Sequence, residues 1–180
     1  MKKIVWTYGL ISGGIITGFM LTSMALSDCG SNLNNVNSMI IGFAAMVLAF
    51  SLLFFALAKY RKTVGEGVLS FKPAITMSSL MVLIVSTMYT VGWVLEYKLF
   101  MPEFADKYEA ARIKQLDDLH LEAAKYDVEV KAIKDEMSFY RTPIGVVMYT
   151  YVEILSMGIP MALISALVMM RRRKDRGSRN

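Results

Sequence analysis

Charge is what this chain lacks over most of its length. In four stretches, residues 4–26, 38–58, 74–97 and 144–170, the only charged side chains are Glu96 and Glu153. Cysteine and histidine occur once each, as Cys29 and His120, and there are four prolines in 180 residues. One cysteine excludes an internal disulfide framework, and one histidine without ligand-spaced partners argues against a metal centre. No Gly-x-Ser-x-Gly elbow, His-Glu-x-x-His helix or phosphate-cradling glycine loop is present, and Cys29 lies far from His120 in sequence. These absences weigh against hydrolase, metalloprotease and nucleotide-binding chemistry. No cofactor is expected, and the chain is read as non-enzymatic.

What is present is hydrophobic length. Each of the four stretches reaches the roughly 20 residues that a helix needs to cross the hydrocarbon of a bilayer. Backbone polar groups in lipid must be satisfied internally, so such stretches are helices. The expected class is an all-α, multi-pass membrane protein: one four-span domain over residues 1–180, with an insert at 99–142 between the third and fourth spans.

The net charge of +5 would suggest nucleic acid as a partner for a soluble protein. Here the excess lies at span ends, and no nucleic-acid partner is expected. Lys2 and Lys3 precede the first span; Lys59, Arg61, Lys62 and Lys72 separate the second from the third; Arg171, Arg172, Arg173, Lys174, Arg176 and Arg179 follow the fourth. Only Glu66 and Asp175 oppose them, and residues 27–37 hold no lysine or arginine. The positive-inside rule puts both termini in the cytoplasm and the insert outside. The insert carries its own eight Lys or Arg from Lys98 to Arg141, but its acids outnumber them. Tyr60 and Arg61 read as one interfacial anchor, Trp93 and Tyr97 as an aromatic belt, and Arg171, Arg172 and Arg173 as a basic anchor able to meet anionic headgroups. Lys2 and Lys3 with Ala25-Leu26-Ser27 resemble a signal peptide, but the apolar stretch is too long for one, so the first span is expected to be retained.

Gly9, Gly13, Gly14 and Gly18 supply two Gly-x-x-x-Gly spacings, suited to close helix packing within the chain or between copies. Asn32 to Ser38 is rich in residues that cap a second helix. Gly65 and Gly67 mark a turn, and Pro73 suits the first turn of the third helix. The fifteen methionines are scattered and read as adaptable packing.

The insert has a different grammar. Leu116, Leu119, Ala123, Tyr126, Val130, Ile133, Met137 and Tyr140 recur at three- and four-residue spacing, an apolar seam on an amphipathic helix. Glu103, Asp106 and Glu109 suit the start of a helix. One continuous helix would project more than about 50 Å and separate spans three and four, so a fold-back at Asp117-Asp118 is expected. His120 is expected to be a solvated helix residue.

Glu153 is the sharpest candidate. A carboxylate within hydrocarbon costs a few kcal/mol or more and commonly marks a polar path. It reads either as a proton or cation site beside Pro160, which should kink the helix, or as a protonated acid bonded to Ser86, Thr87, Thr90 or a tyrosine. Glu96 could pair with Lys98 or Arg141 at the bundle mouth. A lipid-acting enzyme would need Glu96, Glu153 and Arg141 around one cavity.

The order of segments resembles a bacterial membrane family, the domain-of-unknown-function family 4199. The resemblance is carried by Lys3, Tyr8-Gly9-Leu10-Ile11-Ser12-Gly13, Ala49-Phe50-Ser51-Leu52, Lys59-Tyr60-Arg61, Gly67, Ser70-Phe71, Trp93 and the run Phe100 to Tyr108. It continues through Tyr140-Arg141-Thr142-Pro143, Glu153, Gly158 and Leu163-Ile164-Ser165-Ala166. Glu103 stands where that family usually has Asp, and Asp117-Asp118-Leu119-His120 replaces its Gly-Ser-like turn. The resemblance implies four membrane helices in a bacterial inner membrane and implies no activity. The expected partners are the bilayer, with a second copy or another membrane protein. The leading expectation is an accessory or scaffolding protein working through its insert and helix packing; the alternative is an oligomeric transporter or channel with Glu153 on its path.

Overall fold

The structure, a computed structural model, describes residues 1–26 and 36–170. Cys29, the asparagine-rich turn and the basic anchor Arg171, Arg172 and Arg173 lie outside the described residues. Six helices follow in order: α1 Lys2–Leu26, α2 Val36–Thr63, α3 Phe71–Leu99, α4 Phe104–Asp117, α5 Ala123–Tyr140 and α6 Pro143–Met169. Four of them, α1, α2, α3 and α6, are long and apolar enough to cross a bilayer. All four outrun or match the apolar stretches. α2 continues past Ala58 to Thr63, because a helix keeps its backbone bonded until a glycine turn stops it. That stop is at Gly65–Gly67, where Gly67 takes φ +86°, a left-handed conformation natural to glycine.

α1 and α6 flank the central pair: α1 packs on α3 and α2, and α6 packs on the same two. Buried side chains of all four helices build the core, among them Ile16, Phe50, Leu53, Met77, Met81 and Ile154. Close approach comes from small residues. A Cβ on Gly158 would lie 2.6 Å from Val82, and one on Gly13 would lie 2.6 Å from the Met88 sulfur. Of the two glycine pairs on α1, Gly9 and Gly13 face α3. Nothing stands within 4 Å of a Cβ at Gly14 or Gly18, so that pair is open. Polar links join the helices: the Ser12 hydroxyl donates to the Ala49 carbonyl at 2.5 Å, and Ser78 and Ser165 pair at 3.1 Å. At the N-terminal end of the bundle, Lys59 lies over the Tyr8 ring and the Arg61 guanidinium donates to the Met169 carbonyl at 3.4 Å. Tyr60 packs half-buried against the core.

The insert folds back where the two aspartates stand. α4 ends at Asp117, Asp118 is its C-cap, and α5 starts five residues further on. His120 departs from its expected place in a helix: it sits in the turn, exposed, at φ +48°. The turn needs a left-handed residue, and no glycine is nearby to supply one. His120→Gly is therefore expected to stabilise the insert by up to about 1 kcal/mol, read as slower amide exchange across α5. Unchanged exchange would show that the turn carries no strain. Leu119 and Ala123 fall in or beside this turn and are exposed, whereas Leu116, Ile133, Met137 and Tyr140 are buried. The expected seam is therefore interrupted at the turn. α6 runs unbroken through Pro160, which is exposed.

Candidate functional site

The bundle and the insert meet in a second core, at the end of the bundle opposite the N-terminus. Met20 from α1, Trp93 from α3, Ala105 and Leu116 from α4, Ile133, Met137 and Tyr140 from α5, and Val146 from α6 are its buried members. Trp93 is 8% exposed. Its indole N–H donates to the Tyr140 hydroxyl at 2.9 Å, and its ring meets Phe104 edge-on at 4.9 Å. Tyr97 stands edge-on to Tyr140 at 5.9 Å. Trp93, expected in an aromatic belt from its position at the span end, is buried here because the insert folds over it. Burial pushes the Tyr140 phenol above its ordinary value, an effect partly opposed by the N–H of Trp93.

A set of ion pairs fastens the rim of this junction. Arg141 donates to Asp106 at 2.6 Å and to Glu109 at 2.7 Å, joining the α5–α6 corner to the first turns of α4. Those two bonds raise the Arg141 pKa above its already high value. Arg112 reaches Glu136 at 2.7 Å, and the Tyr126 hydroxyl donates to Asp117 at 2.7 Å. Asp106 and Glu109 thus act as ligands for an arginine from the far end of the insert. The repeat of Asp and Glu early in α4 was the only sequence trace of that role. Exposed ion pairs contribute up to about 1 kcal/mol each. Arg141→Gln should therefore leave the bundle melting almost unchanged while accelerating proteolysis within α4. Equal cleavage rates in both proteins would remove the clasp.

The two membrane-depth carboxylates have different surroundings. Glu96 is 5% exposed, and its Oε2 has no hydrogen-bond partner among the described residues. Neither Lys98 nor Arg141 pairs with it; Arg141 is committed to Asp106 and Glu109 because the α5–α6 corner points it at α4. Glu153 lies ten residues into α6, about 15 Å along its axis, and is exposed on the bundle's flank. The hydroxyls expected to hold it are otherwise engaged or orphaned. Thr87 pairs with Tyr151 at 2.8 Å, while Ser86 and Thr90 are buried without partners among the described residues. Two tyrosines come within electrostatic reach of Glu153: Tyr89, which also feels Glu96, and Tyr140. Tyr89 packs against both cores, and nothing in its sequence context marks it out. None of Glu96, Glu153 and Arg141 lines the groove between α3 and α6. Among the described residues no cluster of three or more His, Cys, Asp or Glu side chains could hold a metal ion.

A family model described as protein of unknown function (DUF4199) matches residues 7–171. Searches of curated proteins and of solved structures return no match.

Proposed function

The chain belongs to the DUF4199 family, and from that premise we propose that it is an accessory or scaffolding protein of the bacterial inner membrane. In this reading both termini are cytoplasmic and the insert is the working surface on the opposite side. The observation that carries it is the fastening of the insert. A helical hairpin is fastened to the bundle by the Trp93–Tyr140 bond and the shared second core, and the Arg141 clasp holds its two arms together. A lid or a loose linker would need neither the two attachments nor the clasp. Locked this way, the hairpin holds Leu119 and Val128, 65% and 67% exposed, in a fixed presentation to a partner. The sidedness draws on Lys59, Arg61, Lys62 and Lys72, which all lie at the opposite end of the bundle. The partner class is another membrane protein or a second copy, and no nucleic acid or cofactor enters the reading.

The test is in native membranes. Photo-crosslinkers placed at Val128 and Leu119 should give discrete adducts, and removing residues 103–141 should abolish them along with other crosslinked partners. Retention of every partner after that removal sinks the scaffold reading.

A second reading, an oligomeric transporter or channel, draws on Glu153, an acid within a span whose carboxylate has no hydrogen bond among the described residues and which has two tyrosines in electrostatic reach. Here several copies build the path, since four spans are few for a carrier. Proton or cation flux into proteoliposomes should fall with Glu153→Gln. Equal flux in both proteins, or none in either, eliminates it.

A further inference from the structure

The flank between α3 and α6 carries a groove of about 280 Å³ that the proposed role leaves unused. Val91, Val94 and Leu95 of α3 form one wall, Val147 of α6 the other, and Thr87 with Tyr151 closes the end deepest in the span. Val91 and Leu95 are 54% and 55% exposed, so none of the described residues fills the trough. The remaining lining residue, Thr90, keeps its hydroxyl, unpartnered among the described residues, buried and away from the groove surface, which is apolar. The Thr87 hydroxyl donates to the Leu83 carbonyl at 2.8 Å, so the Tyr151 hydroxyl must supply the proton of their mutual bond. Thr87 and Tyr151 are thus satisfied, and what the trough presents to an occupant is hydrocarbon.

The dimensions select a type of occupant. From Thr87 to Leu95 the groove runs about 12 Å along α3 at 1.5 Å per residue. A helix of about 10 Å diameter and that length occupies on the order of 1,000 Å³, far more than the trough offers. One hydrocarbon chain is the object that fits, and the groove lies on a helix face at membrane depth where such chains are the solvent.

The charge above the groove selects further. Lys98 follows Val91 by seven residues, Val94 by four and Leu95 by three, which puts it one turn beyond the groove on the same face. It is exposed, and it enters none of the ion pairs of the described residues. An apolar single-chain trough with an unpaired cation one turn above it is complementary to an anionic amphiphile. We infer that the α3–α6 groove binds one acyl chain of an anionic phospholipid, with its phosphate on Lys98. The lipid belongs to the leaflet at the insert end of the bundle. A zwitterionic lipid fills the trough equally well but gains less at Lys98. The inference does not depend on the scaffold reading.

The experiment reconstitutes the full chain in phosphatidylcholine vesicles and compares chain-spin-labelled phosphatidylglycerol with phosphatidylcholine by electron paramagnetic resonance. Wild type should immobilise phosphatidylglycerol preferentially. Lys98→Gln should lower that preference about fivefold, the equivalent of roughly 1 kcal/mol for one basic side chain near anionic headgroups, and leave phosphatidylcholine unaffected. Val91→Trp should fill the trough and remove the preference for phosphatidylglycerol, leaving the immobilised component that the rest of the lipid-facing surface gives both lipids, with Leu95→Trp as an independent filler. Both sites are exposed, and retained helicity by circular dichroism establishes that each variant is folded. Equal immobilisation of the two lipids by wild type overturns the inference, as does an unchanged preference in Lys98→Gln or in the folded tryptophan variants. Efficient chain-to-chain disulfides from Val91→Cys in vesicles would assign the groove to a second copy and overturn it as well.

Discussion

Trp93→Ala is expected to release the insert from the bundle. The indole is 8% exposed, sits edge-on to Phe104 at 4.9 Å and gives its N–H to Tyr140 at 2.9 Å. Removing a buried Trp side chain costs about 3–5 kcal/mol through lost burial and the cavity left behind. The cavity opens between two modules rather than inside one, so the loss concentrates at their junction. The insert should become rapidly cleaved by protease, and the melting midpoint in detergent should drop, while the four long helices persist by circular dichroism. Trp93→Phe separates the components: it keeps an aromatic body against Phe104 and loses the N–H, a change of about 1 kcal/mol. Wild-type protease resistance in Trp93→Ala would show that the other members of the second core hold the insert without the indole.

Gly145→Ala is expected to be the most damaging single methyl group in the chain. The start of α6 is drawn tightly under the end of α5. The Thr142 hydroxyl accepts from the Gly145 N–H at 3.0 Å and donates to the Phe139 carbonyl at 2.7 Å, capping the helix while holding the corner. An added Cβ would come within 1.9 Å of the Phe139 carbonyl oxygen and 2.7 Å of its carbon. Those are backbone atoms, which cannot swing aside as a methionine end can. Relief requires the α5–α6 corner to open, which moves Tyr140 and Arg141 together. Overpacking of this kind typically costs about 1–3 kcal/mol and occasionally more, and the upper part of that range is expected here. The measurement is the melting midpoint set beside Gly14→Ala, where nothing lies within 4 Å of the new methyl. That control should match or exceed wild type, since Ala is the better helix former by up to about 1 kcal/mol. If both alanine variants melt alike, the packing of this corner is looser than described.

The insert shows how far sequence spacing carries and where it stops. The fold-back at Asp117-Asp118 was legible without a glycine or proline, because a straight helix would have stranded α6 away from α3. The seam was legible in Leu116, Ile133, Met137 and Tyr140. It failed at Leu119 and Ala123, which share the period but fall at the turn, where a helical period no longer sets direction. His120 went with them: nothing local announces that a histidine will take φ +48°. The acids of α4 were legible as helix starters, yet two of them serve Arg141, thirty-two and thirty-five residues away. Separation of that order leaves no periodic trace.

The candidate site was less legible than the fold. Glu96 and Glu153 stood out because they interrupt apolar runs, but their partners did not follow. Tyr89 lies within reach of both acids, and only the packing of α3 beside α6 reveals that. The groove near Lys98 is likewise a property of two helices side by side, although each of its residues is an ordinary member of a span.

Sequence alone determined that four helices are long and apolar enough to cross a bilayer, where they begin and end to within a few residues, and that the polar segment between the last two doubles back. These outcomes follow from local requirements: hydrocarbon thickness sets a length, and the backbone must bond to itself wherever water is absent. Tertiary structure decided which faces meet. It turned Trp93 inward, used Gly9 and Gly13 while leaving Gly14 and Gly18 open, and left the Glu96 Oε2 without a partner among the described residues. The reason is that lipid is as apolar as leucine. A hydrophobic side chain in a span is equally at home against a neighbour or against a lipid tail, so its pattern along the chain carries no record of which it will meet.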